Sequence, residues 1–274
     1  MTYTYRGLGQ NGRLGNQMFQ YSTLFALAKM SNASFAIPEK VTRHDFYLDG
    51  RYELLDAFPN LSADILPVDD EVFKFQRQYV EPTFAFDPNI FLIAGDLDLH
   101  GYFQSGHYFA DFKEDIKREF AFTSEVQSNC KLFIEKIRRE NPGSNICSLH
   151  VRRSDYQTKS DYHTMLSTDT NYYTMSIHAI LARFPSTRFV IFSDDVEWCR
   201  QVFPQEAVFP EMSSQYEDMC LMTMCDTHII ANSSFSWWGA WLSDSKFIIA
   251  PKAWFGPKGP PDWSSIYCKG WNIA

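Results

Sequence analysis

The chain has 274 residues, 45% of them hydrophobic and 16% aromatic, so it can bury a sizeable core in one large domain or two modest ones. Its formal net charge of -8 argues against a duplex-binding protein, which normally presents a basic face to phosphates. The six cysteines show neither a paired framework nor a C-x-x-C motif, which fits reduced thiols in a cytosolic protein.

The N-terminal part predicts a β-turn-α-β unit. A short strand over residues 2–6 is followed by a glycine-rich turn and by a helix over residues 16–29, whose apolar side chains recur at helical spacing. A second strand is predicted over residues 34–37. The first residues contain no apolar h-region, and no stretch approaches the length of a membrane span, so we expect a soluble protein.

The middle of the chain, residues 39–120, is less regular. Residues 91–103 contain a strand candidate with Leu97 and Leu99 on one face and Asp96, Asp98 and His100 on the other. Residues 124–140 predict an amphipathic helix, which the sequence Asn-Pro-Gly at 141–143 ends.

From residue 146 onward, short apolar strands alternate with helices, which predicts a parallel α/β sheet. The predicted strands cover residues 146–151, 188–192, 207–209, 227–231 and 246–250, and the predicted helices cover residues 172–184, 196–203, 215–224 and 236–242. Ligands of such sheets bind beyond the carboxyl ends of the strands, so the loops that leave the strands are the place to look for chemistry.

Three of these loops carry polar side chains that suit a nucleoside diphosphate. They are His150, Arg152, Arg153 and Asp155 at the first, Asp194 and Asp195 at the second, and Ser233, Ser234 and Ser236 at the third. Arginine binds phosphate oxygens with a planar fork, and a helix N-terminus attracts anions. A carboxylate at Asp194 or Asp195 suits guanine N–H groups or a ribose hydroxyl. We therefore expect these groups to converge on one crevice.

Structural alternatives exist for each group. The arginines can form salt bridges with neighbouring aspartates, and the serines can be N-caps of the helix that follows them. Asp194 can cap the helix over residues 196–203. The glycines before residue 16 can also serve a turn whose backbone requires positive φ angles. Cys220, Cys225 and His228 lie close in sequence, but we interpret them as core groups rather than metal ligands.

Several segments together resemble the motif set of the family-11 glycosyltransferases, the α1,2-fucosyltransferases of bacteria and animals. They are GRLGNQMFQYS at 12–22, GYFQSGHYF at 101–109, HVRRSDY at 150–156, FSDD at 192–195 and NSSFSWWGAWL at 232–242. The HxRRxD element is shared with α1,6- and protein O-fucosyltransferases, whereas the tryptophan-rich segment favours the α1,2 family.

This resemblance implies an α/β fold of GT-B type, with two Rossmann-like domains facing a central cleft. We place the acceptor-side domain at residues 1–140 and the GDP-fucose-binding domain at residues 141–274. The implied reaction is the inverting transfer of L-fucose from GDP-β-L-fucose to the 2-hydroxyl of a terminal galactose, with no metal and no cofactor. The expected partners are the nucleotide sugar and a galactose-terminated oligosaccharide, without nucleic acid or an integral membrane segment.

The resemblance also assigns roles to individual residues. Arg152 and Arg153 become the catalytic groups that face the diphosphate, and Asn16 positions the acceptor. The remaining donor-binding candidates are Arg13, Gly15, His150, Asp155, Asp194, Asp195, Ser233, Ser234, Phe235 and Ser236. Arg13 stands where the family usually has the second glycine of its first turn, so this loop departs from the pattern.

The general base is not identified by the sequence. Asp96, Asp98 and His100 are candidates, as is Asp155, for which we favour a bracing role beside the arginines. Asp96 and Asp98 also match the D-x-D pattern of metal-dependent glycosyltransferases, although their alternation with leucines favours an ordinary half-exposed strand.

Two alternatives to this function are a protein O- or core α1,6-fucosyltransferase and a non-catalytic nucleotide-sugar or glycan-binding protein. The expected location is the cytoplasm of a bacterium, with the enzyme soluble or peripheral at the inner membrane. The alternative location is the Golgi, for an enzyme without its anchor.

Overall fold

The computed structural model describes residues 1–40, 52–74, 77–159, 161–167 and 171–274. The chain divides into two compact units, each built on a five-stranded sheet whose strand pairs are all parallel. Unit 1 comprises Met1–Thr123 and Asp262–Cys268, and unit 2 comprises Ser124–Pro261 and Lys269–Ala274. The predicted α/β class with parallel sheets is confirmed.

Unit 1 begins with the predicted β-turn-α-β unit. Its strands are β1 (Thr2–Thr4), β2 (Ser34–Pro38), β3 (Asp64–Leu66), β4 (Arg77–Val80) and β5 (Leu97–His100), and its helices are α1 (Leu14–Ser31), α2 (Leu54–Ala57) and α3 (Lys113–Glu119). The strand order is β3-β2-β1-β5-β4. From β1 the chain proceeds through β2 to β3 at one edge, then crosses to β4 at the other edge and returns inward to β5, so the parallel strands β1 and β5 lie side by side.

Helix α1 is buried on nearly all sides, which explains why its sequence is apolar around the whole circumference. Its two buried glutamines tie it to the surrounding loops. The Gln17 side-chain oxygen accepts the backbone N–H groups of Glu53 and Leu54, both at 2.9 Å. The Gln20 side chain donates to the carbonyl of Gly101 at 3.0 Å. Helix α1 therefore holds the loops at the carboxyl edge of the sheet in place.

Unit 2 contains the strands β6 (Asn145–Val151), β7 (Thr187–Ser193), β8 (Thr227–Ile229), β9 (Ile248–Ala250) and β10 (Asn272–Ile273). Its helices are α4 (Ser124–Glu140), α5 (Ser154–Thr158), α6 (Tyr172–Arg183), α7 (Val196–Val202), α8 (Gln215–Thr223) and α9 (Ser234–Leu242). The strand order is β10-β9-β8-β6-β7, so the switch point lies between β6 and β8.

The strand predicted over residues 207–209 is reduced to one bridge, in which Val208 pairs with Val190 of β7. Proline residues at 204 and 210 bound this segment, and Pro210 lacks the N–H group that would extend the ladder. The prediction of a short strand over residues 207–209 was therefore wrong.

Helix α4 belongs to unit 2, although the sequence predicted the boundary after it, at residue 140. The side chain of Asn129 donates to Glu217 of α8 at 2.8 Å, and the Cys130 thiol donates to the Glu217 carbonyl at 3.2 Å. At the other end of α4, Arg138 pairs with Asp226 at 2.9 Å. The change of unit therefore falls between Thr123 and Ser124.

Residues 262–268 return to unit 1, which the sequence did not indicate. The Ser265 hydroxyl accepts the backbone N–H of Phe86 at 2.9 Å, and the Ser265 carbonyl accepts the Ser105 hydroxyl at 2.7 Å.

Within the described ranges, no helix is both long and apolar enough to span a membrane.

The tryptophan-rich segment forms the core-facing part of α9. Trp237 and Trp238 are fully buried, with ring centroids 5.0 Å apart, and Trp237 also packs against Trp271 at 5.5 Å. Gly239 lies against Met222 of α8, because a Cβ atom at this position would come within 2.8 Å of the Met222 sulfur. These rings stabilise the contact of α9 with the rest of unit 2 and fix where the helix begins.

Candidate active site

The first two strand-exit loops predicted from the sequence are joined by ion pairs in unit 2. Arg152, which follows β6, directs one terminal nitrogen at Asp155 (2.6 Å) and the other at Asp194 (2.9 Å). Its guanidinium also lies over the ring of Tyr156, 5.7 Å from the centroid. Asp155 pairs with Arg152, whereas the ion pair of Arg153 is with Asp195, so Asp155 contacts one of the two arginines that it was expected to brace. A diphosphate that binds Arg152 must therefore share its guanidinium N–H groups with the carboxylates of Asp155 and Asp194.

Arg153 is buried and held from several sides. Its Nε donates to Asp195 at 2.9 Å, and a terminal nitrogen donates to the Ser167 hydroxyl at 2.8 Å. The guanidinium stacks on Trp198 with its carbon 4.0 Å from the ring centroid. Arg153 is therefore the more rigid of the two arginines, and Arg152 is the more accessible.

The two aspartates after β7 cap two different helices. Asp194 accepts the backbone N–H groups of Arg153 (2.9 Å) and Ser154 (3.2 Å) at the start of α5. Asp195 accepts the N–H of Trp198 (3.2 Å) in the first turn of α7, so this residue, and not Asp194, caps that helix. Its hydrogen bond from Arg153 is the main reason why the pKa of Asp195 lies below the ordinary value. The predicted contact of either aspartate with guanosine stays a prediction.

His150 lies at the end of β6 with its ring buried. No hydrogen-bond partner for its Nδ1 exists among the residues that the structure describes. Burial, reinforced by the nearby charge of Arg152, lowers the pKa of His150 to about 3, so the ring is neutral at physiological pH. A buried ring nitrogen without a partner costs free energy unless a ligand or water satisfies it. The ring of Phe235 lies 5.7 Å away, which brings the end of β6 next to the start of α9.

The third strand-exit loop forms the N-terminus of α9. The Ser233 hydroxyl accepts the N–H of Phe235 at 3.3 Å, so this serine is the N-cap. The buried Ser236 hydroxyl points back to the carbonyls of Ala231 (3.4 Å) and Ser233 (3.3 Å). Ser234 is the first residue of the helix, where backbone N–H groups and the helix dipole favour an anion. Ser233 and Ser236 thus shape the helix start.

Sequence reasoning missed two side chains in unit 2 whose pKa values are shifted, Asp218 and His163. Burial and the neighbouring Glu217 raise the pKa of Asp218 in α8 to about 6. His163 stacks face to face on Tyr156, 4.1 Å between ring centroids, and burial lowers its pKa to about 4. Shifts of this kind cluster at functional sites. The signal in the sequence was weak, because Asp218 sits inside an ordinary helix and His163 in a loop.

The predicted residues of unit 1 lie at the start of α1. Arg13 is exposed, Gly15 is buried, and the Asn16 side-chain oxygen accepts the Gln104 side chain at 2.6 Å. Gly12 has a φ of +79°, as the turn interpretation of this loop predicts. The N–H of Leu14 donates to the buried carboxylate of Glu53 at 2.9 Å. This helix N-terminus therefore already faces a negative charge, and Asn16 with Gln104 is the polar pair next to it.

The acidic residues proposed as bases on β5 serve the sheet. One oxygen of Asp98 accepts the Thr4 hydroxyl and the Arg6 N–H, both at 2.8 Å. Asp96 accepts the N–H of Thr2 at 2.7 Å, and His100 is exposed. Both aspartates therefore anchor β1 to β5, and this bonding leaves them poorly suited to a proton-transfer role.

Among the described residues, no three or more histidine, cysteine or acidic side chains are grouped so that they could hold a metal ion. Of the residues considered as metal ligands in the sequence, His228 pairs both ring nitrogens with serines, at 2.6 Å to Ser148 and 2.9 Å to Ser243. It is a core histidine.

Comparison with known proteins places these features in one family. The model of "Glycosyl transferase family 11" matches residues 6–274. An "Alpha-1,2-colitosyltransferase" of Escherichia coli is 31% identical, over 89% of this chain and 90% of the relative. A "Galactoside alpha-(1,2)-fucosyltransferase 2" of Gorilla gorilla gorilla is 26% identical, over 93% of this chain and 77% of the relative.

Among solved structures, the fucosyltransferase NodZ from Bradyrhizobium has a similar fold. Its TM-score is 0.51 at 15% sequence identity, and the match covers 88% of this chain and 92% of that one. The motifs, the two parallel sheets and the family match agree, and the chain belongs to glycosyltransferase family 11.

Proposed function

We propose that this chain transfers L-fucose from GDP-β-L-fucose to the 2-hydroxyl of a terminal galactose, with inversion at the fucose anomeric carbon. One observation supports the position of the donor site. At the switch point of unit 2, the neutral ring of His150, the guanidinium of Arg152 and the N-terminus of α9 lie close together. The family membership and the galactoside α1,2-fucosyltransferases among its relatives support the reaction.

The chemistry follows from where charge develops. Breaking the bond between fucose and phosphate builds positive charge on the sugar ring and negative charge on the leaving GDP. The barrier falls when the enzyme binds that leaving group more tightly in the transition state than in the bound donor. Arg152 and the N–H groups at the start of α9 supply positive potential for this, and Arg153 holds the surrounding loops rigid.

The nucleoside binds beside the diphosphate in this proposal. The Nδ1 of His150 gains a partner from the donor, and the half-buried Phe235 supplies an apolar surface next to it. Asp218, whose pKa is raised by burial, is a third candidate carboxyl group in unit 2, besides Asp194 and Asp195, for accepting N–H groups of guanine.

For the acceptor, we propose unit 1. Asn16 is held by Gln104 beside the carboxyl edge of the first sheet, where ligands of parallel sheets bind. We also propose that the fold is of GT-B type and that the transfer needs no metal ion.

A second donor is favoured by one specific observation, the 31% identity to an α1,2-colitosyltransferase. Colitose is fucose without the 3-hydroxyl, so the two donors differ by one polar group. A site that hydrogen-bonds the 3-hydroxyl of fucose discriminates against colitose, whereas an apolar surface at that position accepts both sugars.

The test is a transfer assay with EDTA present. The purified protein is mixed with lactose and either GDP-fucose or GDP-colitose, GDP release is measured, and the linkage is read from the product by NMR. An α1,2-linked product with GDP-fucose supports the proposal, and one with GDP-colitose alone replaces the donor. Activity that appears only with added Mn²⁺ contradicts metal independence, and GDP binding without turnover favours a non-catalytic binder. Transfer to a folded protein or to a core N-glycan, but not to lactose, favours the alternative acceptors.

A further inference from the structure

Tyr156 is a buried side chain of α5 that contacts two parts of the proposed donor site. The guanidinium of Arg152 lies over its ring, with the guanidinium carbon 5.7 Å from the ring centroid. The Tyr156 hydroxyl donates to the backbone carbonyl of Asn232 at 2.7 Å. Asn232 directly precedes Ser233, which is the N-cap of α9. One side chain therefore connects the loop that leaves β6 with the loop that begins α9.

The orientation of the Tyr156 ring is fixed by a second aromatic contact. The imidazole of His163 lies parallel to this ring, with 4.1 Å between the centroids and 3° between the planes. Burial lowers the pKa of His163 to about 4, so the imidazole adds no positive charge next to Arg152 at physiological pH. The stack restricts the tilt of the Tyr156 ring, and this restriction also determines where its hydroxyl points.

Asn232 is held from its side chain as well as from its backbone. It is buried, and its side-chain nitrogen donates to the carbonyls of Thr164 at 3.0 Å and Trp254 at 2.8 Å. The segments of these two residues also bind each other, because the Thr164 hydroxyl donates to the carbonyl of Phe255 at 3.0 Å. A buried amide without partners costs free energy, so these bonds favour a single position of Asn232. The residue before the N-cap of α9 is thus attached to three segments of unit 2.

Tyr172 makes the same kind of bond at a different place on this sheet edge. Its buried hydroxyl donates to the carbonyls of Ile230 at 2.7 Å and Ile249 at 3.0 Å. These carbonyls lie at the end of β8 and in β9, so Tyr172 ties neighbouring strand ends together. The bond of Tyr156 instead ties the loop that carries Arg152 to the start of α9.

We infer that Tyr156 and Asn232 are positioning residues, which fix the spacing between the Arg152 guanidinium and the N-terminus of α9. This inference rests on the proposed function, in which both groups bind the same diphosphate. They can do so together only if their separation matches the separation of the phosphate oxygens, and a displacement of about 1 Å costs on the order of 100-fold in rate. Donors that are already in place need no reorientation when negative charge develops on the leaving GDP.

The test compares wild type, Tyr156→Phe and the matched control Tyr172→Phe, each with and without Arg152→Ala. Phenylalanine at position 156 keeps the ring next to Arg152 and removes the hydroxyl that reaches Asn232. We measure the Kd of GDP by isothermal titration calorimetry, the Kd of guanosine by displacement, and the melting temperature of each protein. Guanosine lacks both phosphates, so its Kd reports on the nucleoside part of the site alone.

For Tyr156→Phe we expect the Kd of GDP to rise by about three- to tenfold, as for the loss of one hydrogen bond, and the Kd of guanosine to stay within about twofold. In the Arg152→Ala background the same change should alter the Kd of GDP by less than about twofold, because the spacing to Arg152 no longer matters. Tyr172→Phe should lower the melting temperature and leave both Kd values within about twofold of wild type.

Three results overturn the inference. They are an unchanged Kd of GDP in Tyr156→Phe, an equal weakening of GDP and guanosine, and the same weakening of GDP with and without Arg152. A loss of GDP affinity in Tyr172→Phe as large as that in Tyr156→Phe also overturns it, because general loosening of the sheet edge then explains both.

Asn232→Ala keeps the test decisive if Tyr156→Phe does not fold. This variant loses the bonds to Thr164 and Trp254 but keeps the carbonyl that accepts the Tyr156 hydroxyl, and it should raise the Kd of GDP by about tenfold without the same effect on guanosine. An unchanged ratio of the two Kd values in Asn232→Ala overturns the inference.

The outcome for the proposed function is read separately from wild type. Wild type that binds GDP but transfers neither sugar overturns the proposed reaction, while the Kd values of the variants still decide the positioning role. Wild type that does not bind GDP overturns the proposed donor site and the positioning role together.

Discussion

Two adjacent arginines in one loop, Arg152 and Arg153, have different surroundings. Arg153 is fixed by Asp195, Ser167 and the ring of Trp198, whereas Arg152 forms ion pairs with Asp155 and Asp194 and lies over the ring of Tyr156. The first arrangement resembles a structural anchor. The second leaves a guanidinium that can turn its fork towards a phosphate.

We therefore expect Arg152→Ala to lower kcat/KM for the donor by about 100- to 1000-fold, because a charge on the leaving diphosphate loses its counter-charge. Arg138→Ala is the control, since Arg138 pairs with Asp226 at the opposite, amino-terminal end of β8. The measurement is initial rate of GDP release against GDP-fucose concentration. Near-wild-type turnover of Arg152→Ala would contradict the assignment of Arg152 to the leaving diphosphate.

Trp198 gives a second prediction at this scale. Replacing it with leucine keeps an apolar side chain but removes the ring on which Arg153 stacks, an interaction of about 1–2 kcal/mol in a partly desolvated setting. We expect a melting temperature a few degrees lower and a Kd of GDP raised several-fold through the loosened loop. Isothermal titration calorimetry measures the Kd, and thermal unfolding measures the melting temperature. An unchanged Kd with a lowered melting temperature would show that Trp198 stabilises the fold without affecting GDP binding.

At the scale of elements, the contact between α8 and α9 depends on the absence of a side chain. A Cβ atom at position 239 would lie 2.8–2.9 Å from the Met222 sulfur and Cβ. Gly239→Ala should therefore lower the free energy of unfolding by about 1–3 kcal/mol, as overpacking does in tight cores. Urea unfolding measures it. Adding Met222→Ala should return part of the loss that Gly239→Ala causes, and a purely additive double variant would contradict the proposed clash.

The sequence predicted elements best where one period dominated. Helix α4 was predicted at its observed limits, because its buried residues Cys130, Ile134 and Ile137 recur at helical spacing. Strands β3, β4 and β10 were not predicted, because they are edge strands of two to four residues without an apolar run. Pairing with a neighbour defines such strands, and the pattern of a single segment does not contain that information.

The same reasoning explains which site residues the sequence indicated. His150 lies at the end of a strand of the parallel sheet, and Arg152 and Ser233 follow strands of that sheet, so the rule for strand ends was sufficient to group them. The role of Glu81 in the fold was missed because it depends on a turn about twenty residues later, whose N–H groups the Glu81 carboxylate accepts. The unit to which α4 belongs was missed for a related reason, since only its contacts with α8 decide it.

At the scale of the whole molecule, five buried or partly buried groups among the described residues should make stability depend on pH between about 5 and 6. Burial lowers the pKa values of His150, His163 and His228 to about 3, 4 and 3, and it raises those of Glu81 and Asp218 to about 7 and 6. In this window the unfolded chain protonates the three histidines but leaves the two carboxyl groups largely ionised. The folded chain does the reverse.

The unfolded state therefore binds about three of these protons and the folded state about two, a difference of about one. Stability should rise with pH across this window by about 1.4 kcal/mol per unit, because the unfolded state binds the extra proton. The histidine contribution is present above pH 6.5 and is lost as the pH falls, whereas the carboxyl contribution is present at low pH and is lost as the pH rises through their folded pKa values. The histidine and carboxyl contributions partly cancel, so the net pH dependence of stability is smaller than either contribution alone.

Single variants separate these terms in opposite directions. His228→Gln removes a group that lies in the core between Ser148 and Ser243, and it should bring the slope of unfolding free energy against pH towards zero. Glu81→Gln removes a proton from the folded side and should roughly double the slope, to about 2.7 kcal/mol per unit. Urea unfolding at half-unit steps from pH 5 to 7 measures each slope. If both variants move the slope in the same direction, the histidines and carboxyl groups do not titrate as their burial requires, and the assignment of Glu81 as a carboxyl group that protonates near neutrality loses its thermodynamic support.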